Sequence, residues 1–192
     1  MLERPPPPPD APTRILDAAE RIVQARGVTA LTLEAAAREA GVSKGGLLYH
    51  FASKEALLAG LLGRLADRVA AEFEAVLDAQ PPHLARTTRA ILAWTFDDPH
   101  MVCEQHQRAA AVFLAAFHHD PALLDPIRRV FADIRARLRQ DALPPGHALA
   151  IMAAGDGLFM GRIFGMYEMD AEGLAAMRAA LERLAVPQAG SP

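Results

Sequence analysis

The sequence has a single cysteine, Cys103, in 192 residues, which excludes an internal disulfide framework and cannot by itself build a structural zinc site. Aromatic residues make up only 6% of the chain, and β-branched runs are almost absent. Alanine and leucine abound instead, a balance that disfavours sheets and favours helices throughout. Long uncharged apolar runs are missing too, because Asp156 and Arg162 interrupt the most apolar later stretch. The opening Met-Leu-Glu-Arg is followed by five prolines and carries no apolar signal core. A protein of the reducing cytoplasm, with neither secretion nor a membrane partner, is expected. Among the charged residues lysine is scarcest: Lys44 and Lys54 stand against eighteen arginines.

What is plentiful is apolar side chain, 52% of the residues, ample for a buried core. The formal net charge of −3 at first argues against a nucleic-acid partner, since neutralising phosphates needs a basic footprint. The acidity is unevenly placed, however. Residues 1–60 carry seven basic and seven acidic side chains, whereas residues 61–192 carry thirteen basic and sixteen acidic.

Prolines and caps divide the chain. Pro5 to Pro9 form a polyproline-type arm, expected to be disordered over residues 1–12, and Pro12 marks the last residue before a helical pattern. From Thr13, residues Ile15, Leu16, Ala19, Ile22 and Val23 lie on one face of a helix that Gly27 ends. Thr32 caps a short second helix with Leu33, Ala36, Ala37 and Ala40 on its inner side, and Gly41 supplies the left-handed turn that stops it. Ser43 caps a third helix, Lys44 to about His50, too short to stand alone without Leu47 and Phe51 packing it down. Ser53 caps a long fourth helix from Lys54. Later prolines delimit five more, near 83–97, 101–118, 121–141, 146–168 and 171–185, with His119 or Asp120 capping the one that begins at Pro121.

The expected fold is therefore all-α with about nine helices: a helix-turn-helix head over 13–60, a helical bundle over 61–186 and a flexible tail over 187–192. Two short capped helices about the turn Gly41-Val42-Ser43 are the arrangement that projects a second helix into a DNA major groove. The third helix presents a positive dipole end with free N–H groups, and Gly45 and Gly46 leave room for groove walls. Each glycine costs helix stability, roughly 1 kcal/mol relative to alanine, which suits close approach better than rigidity. Both lysines begin helices here, where a cation opposes the dipole unless a phosphate or base edge is also present. Turn residues tolerated by chance and ordinary solvated lysines are the plain alternatives.

The run Gly41-Val42-Ser43-Lys44-Gly45-Gly46-Leu47-Leu48-Tyr49-His50-Phe51, then Ser53-Lys54-Glu55-Ala56-Leu57, resembles the hallmark of the TetR family of bacterial regulators. That resemblance implies that Lys44, Gly45 and Gly46 face base edges, that Thr32, Tyr49, His50 and Lys54 hold phosphates, and that Ser43 caps the reading helix. His50 reads equally as a packed polar residue. Leu48 stands where the family usually has tyrosine, so one backbone contact is lost or passed to Tyr49. Direct base readout then rests on Lys44 and on DNA shape.

The resemblance also implies a homodimer on a palindromic double-stranded DNA operator, and a small apolar or amphipathic effector that moves the heads apart. Gly155, Gly161 and Gly165 with Leu158, Ile163 and Phe164, joined by Met177, Leu181 and Leu184, are the expected dimer seam, with intramolecular packing the alternative use of the glycines. Trp94, Phe96, Met101, Phe113, Phe117, Met152, Phe159 and Met160 are the nominated pocket lining, though each is more readily core than ligand contact. His100, Cys103 and His106 recur at spacings of three, with His118 further along; the outer two of the trio are about 240° apart on an ideal helix and cannot share one tetrahedral ion. No cofactor or convergent catalytic set is expected, so the chain reads as a regulator rather than an enzyme, the alternative being a helical ligand-binding or metal-sensing protein whose head no longer reads DNA.

Overall fold

Helix α1 (Ala11–Arg26) begins where the Asp10 carboxylate accepts from the Thr13 N–H at 3.0 Å. Pro12 sits in its first turn, where a missing N–H costs nothing. The helix thus starts ahead of Thr13, and Pro12 belongs to it. The computed structural model describes residues 10–97, 113, 117, 120–166 and 168–187. Residues 1–9 of the expected arm, most of the helix expected at 101–118 and the end of the tail fall outside these residues.

The chain divides into two compact units, the first comprising residues 1–64 and 108–125 and the second residues 65–107 and 126–192. In the first unit, α1 packs on α2 (Leu33–Ala40) and α3 (Lys44–His50), followed by the start of α4 (Lys54–Ala79). Ile15, Ala19, Ile22, Leu31, Leu47, Leu58 and Leu62 are essentially fully buried there, each large one contributing roughly 1.5–3 kcal/mol. Gly60 lets α4 lie close: an added Cβ would stand 2.9 Å from Phe51 Cε1 and 3.0 Å from Leu16 Cδ2. Arg64, on α4, joins both Asp17 and Glu20 of α1.

The second unit is built from the rest of α4 with α5 (Arg86–Phe96), α6 (Asp125–Leu138), α7 (His147–Ile163) and α8 (Ala171–Leu184). Phe73, Ile91, Ile134, Ile151 and Leu181, one from each helix, share its core. Helix α5 has no capping side chain of its own at Ala85. Asp141 supplies one from beyond α6, accepting from Thr87 N at 3.3 Å and from both N and Oγ1 of Thr88 at 2.7 Å.

The helix expected over 121–141 is divided in two. Asp120 accepts from Ala122 N at 2.9 Å and starts a single 3-10 turn, Pro121–Leu124, before α6 runs to Leu138. Eight α-helices and no strand are present among the described residues. None of these helices is long and apolar enough to cross a membrane.

Candidate nucleic-acid interface

The turn between α2 and α3 follows from one backbone conformation. Gly41 adopts φ 65° and ψ 36°, the left-handed region, with its N–H on the Ala37 and Arg38 carbonyls. Thr32 accepts from Ala35 N at 3.0 Å and Ser43 from Gly46 N at 3.0 Å, so both helices carry the caps expected from sequence. Replacing Ser43 by Ala should cost about 1 kcal/mol in chemical denaturation; an unchanged midpoint would show that the cap is not needed.

Helix α3 has a single buried residue, Leu47, and every other position from Lys44 to His50 is exposed. Tyr49 is 85% exposed and Leu48 39%, more apolar surface than a short solvated helix needs. The Tyr49 and His50 rings meet edge to face at 5.0 Å. An added Cβ at Gly46 would stand 3.2 Å from Ser43 Oγ, whereas nothing lies within 4 Å of one at Gly45. The caps at Thr32 and Ser53 accept from Ala35 and Ala56 at the equivalent position, so the Ser43 cap does not require glycine at 46 either.

Both lysines have partners within the head. Lys54 Nζ donates to the Val28 carbonyl at 2.8 Å, tying the start of α4 to the turn after α1. That bond uses one of its three N–H groups. Lys44 Nζ lies 2.6 Å from Glu34 Oε1, with side chains 59% and 61% exposed. The hydrogen bond from Lys44 lowers the Glu34 carboxyl from its ordinary value. Sequence reading missed Glu34. Its position in the first turn of α2, next to the Thr32 cap, explains a carboxylate by itself and gives no hint of a partner across the turn.

In the second unit the expected pocket and seam residues separate. Met152 belongs to the core, with Trp94 and Phe96 packed against it. The Trp94 and Phe73 ring centroids are 5.5 Å apart, and Arg178 Cζ stands 6.0 Å from the centre of the Phe96 ring. Phe159 is half-buried, while Met160 is at the surface of α7. In the first unit, Phe113 is half-buried and Phe117 exposed. Met101 lies outside the described residues, as do His100, Cys103, His106 and His118; among the described residues no cluster of metal-ligating side chains occurs.

Of the expected seam, Gly155, Leu158, Gly161 and Leu181 are buried within the chain's own fold. A Cβ at Gly155 would meet Thr95 Oγ1 of α5 at 2.7 Å, so close helix approach at this glycine is intramolecular. Ile163, Met177 and Leu184 are half-buried, and Phe164 and Gly165 are exposed. A different face of α7 points outward and carries Leu149, Ala153, Met160 and Phe164 at helical spacing, with Asp156 between them. On α8, Ala175, Ala179 and Val186 just beyond its end are exposed in the same manner.

Comparison with known proteins agrees with this geometry. The family model described as bacterial regulatory proteins, tetR family, matches residues 15–61. A second, described as tetracyclin repressor-like, C-terminal domain, matches residues 85–186, more than half of the chain. No curated protein matches significantly. Among solved structures, the multidrug binding protein EbrR complexed with malachite green is 26% identical with a TM-score of 0.66, covering 92% of this chain and 98% of that one. A transcriptional regulator (RHA1_ro04179) from Rhodococcus sp. Rha1 is 24% identical with a TM-score of 0.69, covering 91% and 96%. A TetR-family member (SCO1917) from Streptomyces coelicolor A3 is 24% identical with a TM-score of 0.64, covering 92% and 98%. With a capped helix-turn-helix head matched at one end and a repressor-type helical body at the other, this chain belongs to the TetR family of bacterial transcriptional regulators.

Proposed function

We propose that the protein is a dimeric, cytoplasmic, non-enzymatic repressor that grips a palindromic operator through α3 and is released by a small apolar or amphipathic effector held in the helical body. The observation that carries the DNA reading is the exposure of nearly all of α3 around one buried anchor, Leu47. A helix held by one side chain and otherwise bare is suited to lie in a groove. Thr32, Ser43, Lys44, Gly45, Gly46, Tyr49, His50 and Lys54 form the proposed contact set. Selection from randomised duplexes with the purified protein should enrich a palindrome at low salt; no enrichment would refute the regulator reading. Lys44→Ala should weaken or relax operator binding and leave the dimer intact.

For dimerisation the outward stripe of Leu149, Ala153, Met160 and Phe164 is the favoured seam, with Ala175, Ala179 and Val186 beside it. Exposed apolar side chains in register on one helix gain most from a matching copy. For the effector, Trp94, Phe96, Met152 and Phe159 line the favoured region of the body, and the malachite green bound by EbrR supports an aromatic, amphipathic class. Trp94 is the only tryptophan, so an effector that releases the operator should also change its fluorescence. Release without any change in emission would move the pocket away from Trp94.

A further inference from the structure

The ion pair between Lys44 and Glu34 is unexpected on the surface that would meet DNA. Lys44 is the only lysine or arginine on α3, and the 2.6 Å contact to Glu34 cancels its charge. A helix built for phosphate attraction would not carry a carboxylate on its one cation, because close approach to the polyanion then adds repulsion. The pairing is not forced by burial either, since both side chains are more than half exposed. Neither residue is needed to cap its helix: Thr32 and Ser43 do that. What the pair places side by side is a donor and an acceptor, one from each helix of the motif. Around them the first turn of α3 offers only Gly45 and Gly46, with no side chain to read a base.

In the major groove a lysine donates to guanine O6 and N7, and a carboxylate accepts from cytosine N4, the partner base of the same pair. Resting on the regulator reading above, we infer that Glu34 and Lys44 act as one unit that reads a G·C pair in each half-site, with Glu34 as the specificity-determining member. Lys44 binds the guanine acceptors while Glu34 takes the cytosine amino group. In an A·T pair the amino group sits on the purine, so with Lys44 on the purine side Glu34 faces thymine O4, an acceptor, and is left without a donor. Glu34 also keeps Lys44 from engaging phosphates at arbitrary sequence, which trades non-specific affinity for discrimination.

The test compares full-length wild type, Glu34→Gln and Lys44→Ala in selection from randomised duplexes, alongside binding to a duplex of unrelated sequence over a salt series. Thermal melting by circular dichroism serves as the folding control. Wild type should enrich a palindrome with a fixed G·C pair in each half-site. Glu34→Gln should lose the preference at that pair and bind unrelated DNA about 3- to 10-fold more tightly, with a salt slope steeper by about one. Lys44→Ala should lose the same preference while binding unrelated DNA more weakly. If wild type enriches a palindrome and Glu34→Gln enriches the same one, with unchanged affinity for unrelated DNA, this inference fails and the regulator reading survives. If wild type enriches nothing, both fail.

Discussion

A Phe164→Glu variant is expected to sediment as a monomer and to bind the operator at least about 100-fold more weakly than wild type. Phe164 is 42% exposed at the end of α7, in line with Met160 at 37% and Leu149 at 49%. In the proposed dimer these side chains leave water together, and a carboxylate at 164 would have to be buried without a partner. The loss at the operator exceeds the loss of apolar contact because a single head has only its own few base pairs. Once one head of a dimer is bound, the second meets its half-site at an effective concentration near the millimolar range, and that gain disappears when the copies separate. Analytical ultracentrifugation and fluorescence anisotropy on the selected operator read the two effects separately. A variant that stays dimeric would place the seam elsewhere; a monomeric variant with full affinity would remove the dimer from the binding mechanism.

The second large effect is on stability. Asp141→Ala should destabilise the protein by about 2–4 kcal/mol in chemical denaturation. Three donors converge on this carboxylate, the backbone N–H groups of Thr87 and Thr88 and the Thr88 hydroxyl. Thr88 is fully buried, so water cannot replace the lost acceptor without opening the core. Helix α5 would also lose its only side-chain cap, since Ala85 provides none. Asp141→Asn keeps an acceptor oxygen and should cost about half as much. Equal losses in both variants would mean that charge, rather than hydrogen bonding, supplies the stabilisation, and no loss in either would discard the role.

These residues also mark where sequence reading stops. The head was legible because its signals act at short range: Thr32, Ser43 and Ser53 each cap a backbone N–H three residues on, and Gly41 makes its turn locally. Asp141 caps a helix that begins far upstream, and no local pattern encodes that reach. The Glu34 to Lys44 pair crosses a turn for the same reason. Helix α7 is hard to orient because apolar residues surround it: Leu149, Ala150, Ile151 and Met152 follow one another, so periodicity does not say which face meets the chain's own core. Glycines along α7 do not say from sequence whether they serve a second copy or the chain's own fold; at Gly155 an added Cβ would meet Thr95 of α5.

The single anchor of α3 has a consequence for how such proteins diverge. Because Leu47 alone ties that helix into the hydrophobic interior, substitutions at Lys44, Gly45, Leu48 or Tyr49 cost the fold little and can be sampled by drift without first acquiring a stabilising change elsewhere. After gene duplication, a copy could exchange one target sequence for another by altering these few positions while retaining its body. Recognition in this scaffold is thus evolvable independently of folding.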